Sequence, residues 1–546
     1  MKRKPKILMV GEFSQLSTGY AVYTCELFKR LNATGKYELA ELACFANPDQ
    51  AYAPASWKVY FNQPSQKSPE FTQYSSKMTN AFGEWSFEKV CLDFKPDIVI
   101  DIRDYWMVEF QERSPFRKYY NWVWMATIDA QPQNIQWIST FKNCDALLTY
   151  SDWSFKETAK YSGINLIGTA PPGVDLNTFQ PIENKRLHKK NFGIPEDSFI
   201  IGTVMRNQKR KLFPSLIKAF SEFIEKAPEE IAKKTYLYLH TSYPDWWDIP
   251  KYLYNYGVTC RTYFSYKCSE CKYMHASKFN NSRCFCPKCG NPTSFIPNTH
   301  LGISREELNL VYNTFDIKIQ YANSEGFGMP QIEAGACGVP LMAVDYSAMA
   351  DVVRKLNGYP IKVKSLEPEA ETGCERAIPD NEDFIDKLLS FTQLPEILRK
   401  RKGFQTRKLA EKFYDWDKNI KVWEDYFDSI DLKSIQETWD SPVKLLPKHD
   451  IIPDIKDMDY LLRWLFNNII ERPDLCDGYS FLRILRDVQM GVSNQSTSDF
   501  FFNELSATGS TSKRIPFGRD EAVRQIMKIA ENYNQWEIER GKKIGS

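Results

Sequence analysis

Two glutamates with seven residues between them lie in a glycine-rich stretch that runs from Ser324 to Pro340. A strand-like run precedes this stretch, and a helix is predicted to start after Pro330. Glycine allows a backbone to approach a ligand closely, and the free N–H groups of a helix start favour anionic phosphate. Glu325 in the loop and Glu333 in the first helical turn are therefore expected to point into one crevice at the carboxyl end of a sheet. A carboxylate can accept hydrogen bonds from two hydroxyls at once, which suits vicinal diols, whereas the alternative is an ordinary βα turn.

Four cysteines form two CxxC pairs with 14 residues between the pairs. The pairs are Cys268 with Cys271 and Cys286 with Cys289. This spacing is marginally short of the usual zinc-ribbon window but can place four thiolates tetrahedrally around one zinc ion. His275 and Cys284 are available as substitutes, although two complete pairs make them unnecessary. Four sulfurs leave no open coordination position, so we expect one structural zinc and no catalytic metal, the alternative being free buried cysteines.

The two glutamates and their surroundings resemble the signature of retaining GT-B glycosyltransferases of the family-four type. The resemblance rests on Ser-Glu-Gly-Phe-Gly-Met-Pro from Ser324 and on Glu-Ala-x-Ala-x-Gly-Val-Pro from Glu333. Further matching motifs are Ser17-Thr-Gly-Tyr20, Pro172-Gly-Val-Asp175, Phe179-x-Pro181, Gly202-Thr-Val-Met-Arg206 with Lys211, and Tyr414-Asp-Trp416. Together they cover residues 1 to about 430.

The resemblance implies a role for each matched residue. Glu333 would bind the ribose hydroxyls of a nucleotide and Glu325 the hydroxyls of the donor sugar. Arg206 and Lys211 would neutralise the diphosphate and the charge that builds on the leaving nucleotide, a form of electrostatic stabilisation that supplies much of catalysis. Backbone N–H groups would also contribute, those of Gly19, Gly326, Phe327, Gly328 and Met329.

The expected basic pair and one expected histidine have alternatives in this sequence. Lys209, Arg210 and Lys211 run together, so the turn that contains them could be a solvated basic surface. The family usually has a histidine at the end of a first-domain strand, near the sugar. The comparable run here ends in Asp129, and we take Asp129 as the candidate replacement, the alternative being a helix cap or turn residue.

The cysteine pairs lie in a segment of about residues 258 to 300 where the family has only a short connection. Basic and aromatic residues are interleaved through this segment. They are Arg261, Tyr263, Phe264, Tyr266, Lys267, Lys272, Tyr273, Lys278, Phe279, Arg283, Phe285 and Lys288. Such a surface suits single-stranded or distorted nucleic acid, and the alternative is a stabilising clip whose aromatic residues form their own small core.

The sequence predicts a glycosyltransferase that moves a sugar from a nucleotide-sugar donor to a hydroxyl acceptor. The preferred acceptor is a hydroxymethylated pyrimidine in DNA, since the chain resembles phage-type transferases that decorate such bases. Cell-envelope or polysaccharide glycosylation is the runner-up. A different class would be a non-catalytic nucleic-acid-binding protein on a decayed transferase fold.

Strand-like runs alternate with helical patterns through the first 430 residues, which is typical of βαβ units and parallel sheets. The predicted strands are residues 7–10, 97–102, 146–150, 199–204, 235–240, 317–320 and 341–344. The expected fold class is α/β of GT-B type, two facing Rossmann-like doubly wound domains with a zinc-ribbon insertion and a helical C-terminal extension. The expected domains are residues 1–180 for the acceptor, 181–430 for the nucleotide sugar, 258–300 for the ribbon and 431–546 for the extension.

Composition limits the partners and the compartment. The 546 residues carry a net charge of +2, so no global field draws the protein to nucleic acid or acidic membranes. The basic N-terminus runs directly into a strand without the apolar region of a signal peptide, and no run of about 18 apolar residues predicts a spanning helix. Clustered rather than dispersed cysteines indicate a reducing compartment, hence the cytoplasm, or the host cytoplasm if the gene belongs to a phage. The oligomeric state and the donor sugar are left open.

Overall fold

A computed structural model describes residues 3–433, except residues 113, 115, 118, 299 and 300. The C-terminal helices predicted after residue 433 lie outside the described residues. The described chain divides into two compact units. Unit 1 comprises residues 3–13, 37–122 and 432–433, and unit 2 comprises residues 14–36 and 123–431.

Strands of the described residues follow one another in chain order. They are β1 (Lys6–Glu12), β2 (Glu38–Cys44), β3 (Lys58–Phe61), β4 (Ile98–Arg103), β5 (Asn121–Ala126), β6 (Ala146–Thr149), β7 (Leu166–Thr169), β8 (Phe199–Val204), β9 (Thr235–His240), β10 (Thr262–Cys268), β11 (Met274–Lys278), β12 (Arg283–Cys284), β13 (Ser294–Phe295), β14 (Ile317–Gln320), β15 (Leu341–Val344), β16 (Tyr359–Ile361), β17 (Val363–Pro368) and β18 (Glu375–Pro379). All seven predicted strands are present, four of them with the predicted bounds.

Helices of the described residues alternate with these strands. They are α1 (Gly19–Thr34), α2 (Glu70–Ser75), α3 (Phe87–Phe94), α4 (Glu109–Glu112), α5 (Ile135–Asn143), α6 (Asp152–Thr158), α7 (Lys185–Asn191), α8 (Phe213–Lys226), α9 (Glu229–Ala232), α10 (Ile249–Asn255), α11 (Arg305–Tyr312), α12 (Met329–Ala336), α13 (Ser347–Lys355), α14 (Asn381–Thr392), α15 (Glu396–Phe413), α16 (Trp416–Asn419) and α17 (Lys421–Ser429). No helix in the described part of the chain is long and apolar enough to cross a membrane.

Unit 1 contains a parallel sheet in the order β3-β2-β1-β4. Ile7, Leu8, Met9 and Val10 of β1 are all fully buried. A strand of a parallel sheet is covered on both faces, which explains why this run is continuously apolar rather than alternating.

Unit 2 contains a larger sheet in which six strands run parallel in the order β10-β9-β8-β14-β15-β16. The strand order reverses between β8 and β14, and ligands of such sheets bind outside the carboxyl ends of the strands at this switch point. β5, β6 and β7 also pair in parallel. The residues that follow β8 and β14 are therefore placed where a ligand is expected.

The cysteine-containing insert extends the large sheet. Residues 262–264 of β10 pair with β9, and the same strand continues as the antiparallel partner of β11 and β13. Cys268, the last residue of β10, thus lies at the end of a strand of the main sheet.

One helix boundary differs from the prediction. α12 begins at Met329 rather than after Pro330, with Gly328 as its N-cap residue in the left-handed region at a φ of 86°. Proline fits the first turn of a helix because its missing N–H has no partner there. Glu333 consequently lies in the second turn of α12 and not in the first.

Candidate active site

The basic residues and the first glutamate follow the two strands that flank the switch point. Arg206 and Lys211 come after β8, with Lys211 at the end of a short 3-10 turn, Lys209–Lys211. Glu325 lies in the loop after β14. The sequence folds in this way because buried β-branched strands deliver polar loops to one edge of the sheet.

Glu325 is buried and held by three side chains. Its carboxylate accepts hydrogen bonds from Arg210 Nη1 at 2.7 Å, from Lys211 Nζ and from Gln320 Nε2. Burial would raise the pKa of Glu325, but the two cations beside it outweigh burial and lower the pKa to about 2. The carboxylate is therefore ionised at neutral pH. Its loop is fixed as well, because the backbone N–H of Glu325 donates to the hydroxyl of Ser347 at 2.9 Å.

Two cations contact the carboxylate of Glu325, for which the sequence predicted no ion-pair partner. Lys211 contacts it, but the second cation is Arg210, which sequence reasoning named only as part of a basic run. Arg206 is exposed and makes no hydrogen bond or ion pair with any described residue. The structure thus brings Lys211 and Glu325 together and leaves the guanidinium of Arg206 available.

Glu333 has a different environment on α12. Its carboxylate accepts a hydrogen bond from Tyr312 Oη at 2.7 Å, and burial raises its pKa although that hydrogen bond opposes the shift. The buried Lys318 of β14 interacts electrostatically with both Glu333 and Glu325.

The glycine-rich loop packs against a second loop of unit 2. A Cβ atom at Gly326 would lie 2.4 Å from Cγ2 of Thr127, which is closer than real Cβ contacts allow. The hydroxyl of Thr127 is hydrogen-bonded to Tyr20 Oη at 2.7 Å. Gly19 is also close, since a Cβ there would lie 3.8 Å from Sδ of Met329. Glycine at position 326 is thus required by the close approach of the two loops.

The side chain of Phe327 serves packing, whereas the prediction for this residue concerned its backbone N–H group. Its side chain is buried and its ring lies 5.8 Å from that of Tyr414 in an edge-on contact. The backbone N–H groups of residues 326–329 stay the predicted contacts to the donor.

Asp129 is neither a helix cap nor a turn residue. Its carboxylate forms an ion pair with Arg376 at 2.9 Å and accepts a hydrogen bond from the hydroxyl of Ser324 at 3.0 Å. Ser324 directly precedes Glu325, so the structure places Asp129 beside the predicted site. Sequence reasoning missed Arg376 because nothing in the chain near residue 376 marks its contact with residue 129.

The four predicted cysteines converge. Their ligand atoms lie within 4.8 Å of one another, with 3.7 Å between the sulfurs of Cys268 and Cys289 and 3.6 Å between those of Cys271 and Cys286. Tetrahedral zinc with Zn–S bonds of about 2.3 Å requires sulfurs about 3.8 Å apart. The residues present therefore fit a zinc ion. Gly290, after the last cysteine, takes a φ of 76° and forms the expected tight turn.

Most aromatic residues of the insert face inward. Tyr263, Phe264 and Tyr266 are buried, and Phe279 packs against the core of the large sheet. Phe285 is the exception, because 69% of it is exposed. Most of the predicted aromatic surface is thus buried, but in the core of the large sheet and not in the separate small core that the alternative interpretation expected.

Parts of this chain are similar in sequence to known proteins. Residues 298–383 match the family described as glycosyl transferases group 1. A curated relative, D-inositol 3-phosphate glycosyltransferase 2 of Catenulispora acidiphila, is 24% identical over 211 residues, which are 38% of this chain and 42% of the relative. The match thus spans less than half of that relative. Both findings are similarities to glycosyltransferases over part of this chain.

Two solved structures show the same fold. Sucrose-phosphate synthase from Thermosynechococcus elongatus superposes with a TM-score of 0.56 at 14% identity, over 78% of this chain and 100% of the other. HepE from Anabaena, in complex with UDP and glucose, superposes with a TM-score of 0.51 at 11% identity and the same coverage. The predicted α/β fold of GT-B type with Rossmann-like sheets is confirmed.

Proposed function

We propose that this protein is a retaining glycosyltransferase that transfers a sugar from a nucleotide-sugar donor to a hydroxyl acceptor. The proposal rests on one observation above all: Glu325 and Lys211 meet at the switch point of the large sheet. An acidic group that can accept sugar hydroxyls and cations that can neutralise a diphosphate are thereby combined in one crevice. The intact cluster also argues against a decayed, non-catalytic transferase.

Several residues of the site would assist cleavage of the bond between the donor sugar and the diphosphate. In the reaction, the bond between the anomeric carbon and the diphosphate oxygen breaks and its electron pair leaves with the nucleotide. Lys211 and the exposed Arg206 would stabilise that negative charge, with the N–H groups around Gly326 and Gly328. The acceptor oxygen bonds to the anomeric carbon, and its proton would pass to the oxygen of the departing diphosphate. Glu333 would hold the ribose through its two oxygens.

We propose a uridine diphosphate hexose as the donor. The support is the similar fold of HepE, which binds UDP and glucose. The proposed transfer assigns no role to a metal ion, since Lys211 and Arg206 would neutralise the diphosphate.

The two proposed acceptors, hydroxymethylated DNA and a cell-envelope or polysaccharide hydroxyl, require different binding surfaces on the protein. Hydroxymethylated DNA would use the exposed Phe285 for base stacking and nearby basic residues for phosphates. The burial of Tyr263 and Phe264 removes much of the surface that motivated this acceptor. A cell-envelope or polysaccharide hydroxyl needs no such surface, and we propose it with equal standing.

We further propose that the four cysteines bind one zinc ion. Four thiolates at tetrahedral spacing leave no open coordination position, so the ion would stabilise the insert and take no part in transfer.

The donor site can be tested by thermal unfolding with a panel of nucleotide sugars, because a ligand that binds only the folded state raises its stability. We expect UDP-glucose to raise the melting temperature of the wild type. Arg206→Gln should weaken this shift, whereas Lys218→Gln, a control at a surface pair with Glu222 on α8, should leave it unchanged. Equal shifts in all three proteins would contradict the assignment of Arg206.

The acceptor can be tested by incubation with the donor and three candidate acceptors. These are DNA with hydroxymethylated bases, unmodified DNA and an envelope glycan extract. Mass spectrometry of the digested products identifies the sugar-bearing molecule. Transfer to the glycan alone would contradict the proposal of a DNA acceptor. If neither donor hydrolysis nor transfer occurred with any of the three acceptors, the proposed glycosyltransferase activity would be wrong.

A further inference from the structure

A hairpin of unit 2 connects the two loops that meet at the site. β17 and β18 pair antiparallel. The N–H of Ala377 in β18 donates to the carbonyl of Asn323 at 3.0 Å, and the N–H of Glu375 donates to the carbonyl of Gln131 at 2.7 Å. Asn323 belongs to the Glu325 loop and Gln131 to the loop that contains Asp129. The hairpin therefore fixes both loops through its backbone.

Arg376, between these two hydrogen-bonded residues, fixes them again through its side chain. Nη1 donates to Asp129 Oδ1 at 2.9 Å and to the hydroxyl of Ser324 at 2.8 Å. Nε and Nη2 donate to Glu369 at 3.0 and 2.7 Å. Four of the five guanidinium N–H groups are thereby used, and only 14% of the side chain is exposed. The side chain of Arg376 is therefore fixed, and it lacks the two free N–H groups that would bind a phosphate through two hydrogen bonds.

Asp129 retains capacity to accept hydrogen bonds. Each of its oxygens has one partner, Arg376 or Ser324, and each carboxylate oxygen offers a second lone pair. About 23% of its side chain is exposed. A hydroxyl that approaches this carboxylate would find an oriented acceptor.

The charges of the site are arranged in two groups. Arg210 and Lys211 with Glu325 carry one net positive charge, at the end suited to a diphosphate. Asp129 and Glu369 with Arg376 carry one net negative charge. A carboxylate on the donor sugar would meet repulsion at this second group, whereas hydroxyls would meet an acceptor.

We propose that Arg376 is a positioning residue that holds Asp129 in the donor-sugar subsite, and that this subsite selects neutral hexoses over sugar acids. The inference rests on the proposed donor function and adds the chemical class of the sugar. Arg376 acts through Asp129 and does not contact the reacting atoms.

The experiment compares the affinities of UDP, UDP-glucose and UDP-glucuronate by calorimetry. In the wild type we expect UDP-glucose to bind at least tenfold more tightly than UDP-glucuronate. In Arg376→Met we expect unchanged UDP affinity, roughly tenfold weaker UDP-glucose binding and loss of discrimination, with partial rescue in Arg376→Lys. The matched control is Arg186→Met, which breaks an exposed pair with Glu396 and should leave all three affinities unchanged.

A second variant tests the inference independently in case Arg376→Met does not fold. Asp129→Asn keeps the size of the side chain and removes its charge, so UDP should bind as in the wild type while UDP-glucuronate gains affinity relative to UDP-glucose. The inference would be wrong if both variants preferred UDP-glucose over UDP-glucuronate as strongly as the wild type does, or if the wild type showed no such preference. Neither result would contradict the proposed glycosyltransferase activity. A wild type that binds none of the three compounds would overturn the donor proposal itself.

Discussion

A single methyl group at Gly326 should disturb the site in a way that a second mutation can reverse. The Cβ atom of Gly326→Ala would lie 2.4 Å from Cγ2 of Thr127, and the next Thr127 atom, Cβ, is 3.7 Å away. The collision thus involves one methyl group, and the loops must separate by roughly 1 Å to restore ordinary contact, an overpacking that costs about 1–3 kcal/mol. Because Gly326 follows Glu325 directly, the displacement should also weaken donor binding by about tenfold to a hundredfold, at about 1.4 kcal/mol for each factor of ten.

Thr127→Ser provides the reversal. It removes Cγ2 and keeps the hydroxyl that bonds to Tyr20. Alone it should cost about 0.8 kcal/mol for the lost methyl group. In the double variant the collision is absent, so its unfolding free energy should lie close to that of Thr127→Ser rather than at the sum of the two losses.

Urea unfolding and donor calorimetry on the four proteins measure this cycle. Gly11→Ala is the control for glycine replacement, because no atom lies within 4 Å of the added Cβ and its φ is not in the left-handed region. If the two single losses add in the double variant, the loops do not touch as described and the reasoning fails.

Further expectations concern the buried carboxylates and the cysteines. Glu333→Gln should weaken UDP binding about tenfold in calorimetry, because a hydrogen bond to a charged acceptor is worth about 1.5–3 kcal/mol. Lys211→Met leaves Glu325 with less compensation in a buried site, so urea unfolding should show a loss of about 3–5 kcal/mol that Glu325→Gln in the same chain partly restores. The folded pKa of Glu325 is about 2 against an ordinary 4.5, so its contribution to stability is complete above about pH 4.5 and lost as pH falls toward 2. The unfolding free energy of Glu325→Gln should therefore fall less steeply with pH over that range than that of the wild type. Identical curves would contradict the ion pairs of Glu325 with Arg210 and Lys211. Metal analysis should find one zinc per chain in the wild type and in the control Cys284→Ser, and full zinc in Cys271→Ser would reject the ligand set.

Local pattern was sufficient for the strands and for the cysteines, and insufficient for the salt-bridge partners. Runs such as residues 199–204 and 341–344 are largely apolar because both faces of a parallel strand are covered, and that requirement is visible in the sequence. Of the adjacent cations in the 3-10 turn Lys209–Lys211, Arg210 and Lys211 reach Glu325 whereas Lys209 pairs with Glu371, and the geometry of the turn decides this. Spacing alone does not contain that information.

Long-range contacts are the second kind of information that the sequence lacks. Arg376 meets Asp129 and Ser324 only because the hairpin crosses from one loop to the other. Neither residue has a local signal for the other, since an isolated arginine between strand residues is usually a solvated side chain. The arginine gives Asp129, the proposed replacement for the expected histidine, a fixed ion-pair partner.

The insert shows how a composition that suggests nucleic-acid binding can arise from packing. A short cysteine-stapled segment has too little apolar surface to bury a core alone, so it extends an existing sheet and adds its aromatic residues to the core of that sheet. Phe264 and Tyr266 of β10 do this, and Lys278 Nζ lies 3.5 Å from the centre of the Tyr263 ring, where a cation is favourable. Lys278 and Tyr263 of the insert therefore pack against each other, whereas Lys272, Arg283 and Lys288 are exposed. Of the aromatic residues that motivated a DNA acceptor, Phe285 is the one described as largely exposed, so stacking on a base at the insert has to be sought at Phe285.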